Sequence, residues 1–114
     1  MDIKTVADQG PAIKALYRLL NQYPHLPAAA FDPGTVIVPA GVVPGIGITL
    51  HNGFADFEAW REALNIDGDT VEHRQRLDAP SGSYQLLRGY GTFGEVAVQI
   101  QGFAPLGPEA TAAA

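Results

Sequence analysis

The chain has 114 residues, 46% of them hydrophobic and 17% charged, with a net charge of −5 at neutral pH. That length predicts one domain with its own core, and that balance excludes a disordered chain. The absence of cysteine excludes disulfides, zinc–thiolate sites and thiol nucleophiles. A pI near 4.9 disfavours nucleic acid as a partner, because phosphate neutralisation supplies most non-specific affinity.

Met1-Asp2-Ile3-Lys4 leads into no apolar run, so no secretory signal is expected and the expected location is cytoplasmic. A first helix opens at Gly10-Pro11, where proline's missing N–H costs nothing. Ile13, Leu16, Tyr17 and Leu20 follow i, i+3, i+4, i+7 and predict one apolar face, with Lys14 and Arg18 as its solvated flank. Pro24 stops the helix near Gln22. Residues 24–34, with Pro24, Pro27 and Pro33, read as an irregular connection. Thr35–Val38 is a short β-branched strand ended by Pro39, and Gly47–His51 is its expected neighbour. Residues 33–50 carry no charge, but their prolines and glycines divide them into pieces too short to span a membrane. No membrane association is expected.

The second helix places Phe54, Phe57, Trp60, Arg61 and Leu64 on one side and Asp56, Glu58 and Glu62 largely opposite, with Asn52 as the expected N-cap. Asn65–Asp69 turns the chain into a third strand, where Val71, His73, Gln75 and Leu77 alternate with Glu72, Arg74, Arg76 and Asp78. Ala79-Pro80-Ser81-Gly82 leads to a fourth strand, and residues 91–94 lead to a fifth, in which Val96, Val98 and Ile100 alternate with Ala97, Gln99 and Gln101. The order is α-β-β-α-β-β-β. The expected fold is α+β: an antiparallel meander of about five strands with two helices on one face, because short links force antiparallel neighbours. Residues 1–106 form the expected domain and 107–114 a flexible tail.

Candidate chemistry is sparse. Gly89-Tyr90-Gly91-Thr92-Phe93-Gly94-Glu95-Val96 matches the G-x-G-x-x-G-x-V loop of kinases. No lysine follows in the next strand, so the glycines are expected to serve turns. Asp67-Gly68-Asp69 lacks calcium-loop spacing. His51 and His73 meet only if strands two and three are neighbours, and no third metal ligand is marked. Ser81 and Ser83 lie in no nucleophile elbow. No metal, cofactor or catalytic residue is expected.

One constellation suits binding. Residues 53–72 carry six acids and one base, whereas 73–106 carry three arginines and two acids. Arg74 and Arg76 share one face of strand three. If Tyr84, Arg88 and Tyr90 join them, the open sheet face is an arginine–tyrosine platform of the kind that packs against proteins or stacks single-stranded bases. Adjacent Leu86 and Leu87 leave the parity of strand four undecided. The alternative puts Tyr84 and Leu86 in the core and pairs the arginines with Glu72 and Glu95.

With Phe57-Glu58-Ala59-Trp60-Arg61-Glu62-Ala63-Leu64, His73-Arg74 and Gly91-Thr92-Phe93-Gly94-Glu95-Val96-Ala97-Val98 in hand, the layout over about residues 10–104 resembles small uncharacterised proteins of actinobacteria and of their phages and integrated elements. No activity is attached to such proteins and no functional residue carries over. The resemblance implies a setting: an accessory protein of a mobile element acting on a host or element-encoded partner. The expected function is a non-enzymatic module that binds another protein, or a second copy of itself, through an exposed sheet face or edge. A small nucleic-acid-binding regulator using the same platform is the alternative.

Overall fold

The computed structural model describes residues 5–76 and 84–105. It is an α+β fold with a five-stranded mixed sheet and two helices. The elements are α1 (Gly10–Gln22), β1 (Ala30–Val38), β2 (Gly41–Leu50), α2 (Phe54–Ala63), β3 (Glu72–Arg76), β4 (Tyr84–Phe93) and β5 (Val96–Pro105). Single 3-10 turns precede α1 and β3.

The strands lie in the order β1-β2-β5-β4-β3, and β2 pairs with β5 in parallel while the other pairs are antiparallel. This corrects the expected meander. Short links do make hairpins of β1–β2 and β4–β5. The long excursion from β2 through α2, β3 and β4, however, lets the chain return beside its starting strand, which a parallel pair requires. The two most apolar strands thereby become the adjacent inner pair.

β1 begins at Ala30, so part of the segment expected to be irregular is strand, and β2 begins at Gly41 rather than Gly47. Their prolines are tolerated for positional reasons. Pro33 lies on the edge strand, and Pro44 precedes Gly45, where β5 starts to pair, so neither proline interrupts an inner ladder.

Sheet parity sets the core. Ile46, Ile48 and Leu50 of β2 and Val96, Val98 and Ile100 of β5 are buried in one cluster with Ala15, Leu19, Phe57, Trp60, Leu64 and Ile66. Both helices therefore cover one face. On α2 the expected side is the buried one, and Phe57 and Trp60 are almost fully enclosed. The Trp60 indole donates to the Pro27 carbonyl at 2.9 Å, and Phe31 meets its ring edge-on at 5.8 Å. Gly53, not Asn52, precedes the helix, and its φ of 101° favours glycine there. At the other end Arg61 donates to the Ile66 carbonyl at 2.8 Å and pairs with Glu58, whose carboxylate holds the guanidinium above its ordinary range. That bond ties down the reversal that carries Ile66 into the core.

α1 keeps its expected bounds but not its expected face. Ala12, Ala15 and Leu19 are buried, whereas Ile13, Tyr17 and Leu20 are 50%, 70% and 45% exposed. Ala12 and Ala15 let the helix approach the sheet closely, Leu19 and, of the expected face, Leu16 pack on the core, and Ile13, Tyr17 and Leu20 point away.

The glycine motif is mainly a packing device. A side chain at Gly91 would begin 2.8 Å from Ile66, and one at Gly102 would begin 2.9 Å from the Phe57 Cβ. Gly89 lies beneath the same two side chains. These three bare positions form a trough on β4 and β5 that seats Phe57 and Ile66. Of the motif's glycines only Gly94, at φ 61°, serves a turn.

The β1–β2 hairpin coils back over the sheet. Gln99 stands opposite Gly47, whose partner on β1 is Asp32. Ile37 lies five residues further on, about 16 Å away along a flat strand. Yet the Gln99 amide donates to the Ile37 carbonyl at 3.0 Å. Val36 fills the inside of this bend, 2.7 Å from where a side chain at Gly45 would begin; the Ala97 carbonyl oxygen is 2.5 Å from that point.

The segment expected to link strands three and four, together with Leu77, Asp78, Ser81, Ser83 and the expected tail, lies outside the described residues. No helix among the described residues is long and apolar enough to cross a membrane.

Gly34 and Gly45 are register partners, but a side chain at Gly34 meets nothing within 4 Å. Urea unfolding should accordingly show Gly45→Ala destabilised by about 1–3 kcal/mol, with Gly34→Ala within about 0.5 kcal/mol of the parent.

Candidate functional site

The face opposite the helices is set by β4 register. Arg88 stands opposite Glu72 and Gln101, Tyr90 opposite Gln99, and Leu86 opposite Arg74 and Phe103. Tyr84 stands opposite Arg76. Positions 74, 76, 84, 88 and 90 therefore share one parity, while Leu87, Gly89 and Gly91 take the helix side. The undecided parity of strand four is resolved in this way because Gly89 and Gly91 must lie under Phe57 and Ile66.

The gathered residues differ in their freedom. Arg74 is exposed; Tyr84, Arg88 and Tyr90 are half-buried. Tyr90 donates its hydroxyl to Glu72 at 3.1 Å. Arg88 Nη2 donates to Gln101 Oε1 at 3.1 Å, while its Nε is buried with no acceptor among the described residues. The expected cross-strand pairing of arginine with Glu72 is not found among the described residues: Glu72 takes the tyrosine hydroxyl instead.

A polar relay crosses the middle of the face. Arg88 donates to Gln101, Gln101 donates to Gln99 at 3.5 Å, and Gln99 donates to the backbone of the coiled hairpin. At one end of the face is an aromatic group. Phe103 stacks on the His51 ring at 5.7 Å and 12°, and Tyr84 leans against the same phenyl ring at 5.8 Å. Leu86 is buried on this side, outside the helix-side cluster. Leu86 is thus enclosed as the alternative reading had it, but on the opposite side of the sheet.

Gln99, Gln101, Phe103 and His51 join the site without having been singled out. β5 alternation marks the first three as facing away from the buried aliphatics, but only the β4–β5 register brings them beside Arg88 and Tyr84. His51 and His73 do not meet, since β5 and β4 separate β2 from β3. No group of three or more potential metal ligands occurs among the described residues.

The sheet edges are blunted. The described part of β3 presents Glu72, His73, Arg74 and Gln75, and β1 carries Asp32 and Pro33. Charge and proline at an edge oppose strand addition.

Comparison with protein-family models, curated proteins and solved structures finds no match to this chain. The functional reading rests on the geometry above.

Gln101→Leu removes the one side-chain acceptor of Arg88 among the described residues and should cost about 1–3 kcal/mol in urea unfolding. Tyr90→Phe, which removes one bond to a carboxylate near the edge, should cost about 0.5–1.5 kcal/mol.

Proposed function

We propose that the chain is a non-enzymatic module that binds another protein through the β3–β4–β5 half of its uncovered sheet face. The observation that supports this reading is the alignment of Arg74, Tyr84, Arg88 and Tyr90 beside Phe103 on one parity. Arginine and tyrosine are the residues enriched where proteins dock. Tyrosine presents broad surface at low entropic cost and arginine a planar fork of donors, whereas lysine and glutamate are depleted there. The internal relay holds Arg88 and Gln101 in place before a partner arrives, so less ordering remains to be done on binding.

The nucleic-acid reading is less well supported. Glu72 and Asp32 share the face with the arginines, and Tyr90 is bonded to Glu72 rather than left free to stack. A strand of phosphates would meet two carboxylates on a chain whose net charge is −5. The setting we assign, an accessory protein of a mobile element, follows from the resemblance and forms part of the same proposal, as does a cytoplasmic location.

Capture from the source cells with tagged protein tests the assignment. The parent chain should hold a defined protein, and Tyr84→Ala or Arg74→Glu should weaken that complex about tenfold or more. The complex should survive Ile13→Glu on the opposite side, and titration with single-stranded DNA should show no salt-sensitive binding. Equal retention by the face variants, or turnover of a substrate abolished by one point change, would overturn the assignment.

A further inference from the structure

α1 carries a second apolar stripe that is left largely exposed. At about 100° per residue, the buried Ala12, Ala15 and Leu19 centre on one direction. Val6, Ile13, Tyr17 and Leu20 centre about 140° away from it. Those four side chains are 82%, 50%, 70% and 45% exposed. Val6 belongs to the stripe because its backbone is already helical, as is the cap between the 3-10 turn and α1.

Beside the stripe is a groove of about 1350 Å³. Ile13, Tyr17 and Arg18 form one wall; Pro44, Glu95 and Val96 contribute to the other. Beyond Pro44 the cross-strand pair Ile37 and Val42, 69% and 62% exposed, carries the apolar surface to the hairpin tip.

We propose that two copies of this chain associate through this surface, the α1 ridge of each entering the groove of the other about a two-fold axis. Shape is the first reason. A two-fold interface must be its own complement, and a ridge adjoining a groove meets that requirement. Area is the second. The six exposed side chains present roughly 600 Å², at the top of what single chains leave uncovered. With the stems of Lys14 and Arg18 and the rings of Pro11 and Pro44 the surface approaches the ~800 Å² per partner of a standard interface.

Charge is the third reason. Lys14 and Arg18 lie on the helix wall and Glu95 on the turn wall, so the two-fold operation brings the cations of one copy toward the acid of the other. α1 itself contains no acid. Asp56, Glu58, Glu62, Asp67 and Asp69 lie on α2 and in the turn after it, whereas Asp8 joins Glu95 on the groove, so the lining balances Lys14 and Arg18 against two acids. Two copies of a negatively charged chain therefore meet there without net like-charge repulsion. The inference is independent of the sheet-face assignment, which uses the opposite side of the sheet.

Sedimentation velocity of the whole chain, from ~1 µM to ~1 mM, tests the association. The expected result is a species of twice 12.1 kDa that forms reversibly with concentration. Tyr17→Glu and, separately, Ile13→Glu should raise the dissociation constant at least tenfold. Both replace exposed side chains, so an unchanged circular dichroism spectrum should accompany the loss. Arg18→Glu should weaken the pair, and adding Glu95→Arg to it should restore most of the affinity. A single-protomer mass throughout the range would overturn the proposal, even if the stripe then captured another protein. So would a dimer indifferent to both Tyr17→Glu and Ile13→Glu.

Discussion

Phe57 reaches to 2.9 Å from the point where a side chain at position 102 would begin, and that approach organises the rest of the molecule. It is possible because Gly89, Gly91 and Gly102 leave the helix side of β4 and β5 bare. An aromatic ring and Ile66 settle almost onto the backbone there. Burying a large aromatic in this way is a major source of stability, since truncating one to alanine typically costs about 3–5 kcal/mol. The seat also has a topological consequence. α2 follows β2 directly but docks on β5 and β4, so the chain crosses the sheet before its last two strands form. The parallel pairing of β2 with β5 is the outcome.

The same trough fixes the chemistry of the far side. Once Gly89 and Gly91 must face the helices, Tyr84, Leu86, Arg88 and Tyr90 are committed to the other face, because neighbouring residues of a strand alternate. Arg88 then needs an acceptor in a partly enclosed setting, and Gln101 supplies one. Gln101 is anchored through Gln99 to the hairpin that coils over the sheet. Arg88, with no carboxylate partner among the described residues, is held by a neutral amide, which positions the guanidinium without neutralising it. This is why the face reads as a prepared surface rather than as a patch of salt bridges.

Much of this was legible from residue order. Alternation in Val96–Ile100 and the apolar side of Phe57, Trp60 and Leu64 each predict the element and the buried face found. Both work because one face of each element meets one continuous core. The reading of α1 failed for an instructive reason. Its largest apolar residues do lie at helical spacing, yet only Leu16 of them packs on the core; the buried face centres on Ala12, Ala15 and Leu19, where two alanines permit close approach and one leucine fills the space beyond them. The glycine motif misled in a similar way. Glycine in a hairpin suggests a turn, but at two of its three positions here the missing side chain makes room for a residue more than twenty positions earlier in the chain.

Periodicity, proline placement and charge balance by themselves determined an α+β chain of two helices and about five strands, acidic overall, with four of its five arginines in its second half. These are local or summed properties, and they need no knowledge of which segments meet. Tertiary structure alone decided that β5 lies beside β2, that Arg88, Tyr84 and Tyr90 align with Gln101 and Phe103, and that α1 turns Ile13, Tyr17 and Leu20 outward. Each of those outcomes depends on contact between residues distant in the chain, where the fit of Phe57 and Ile66 over bare glycine outweighs any preference a segment holds alone.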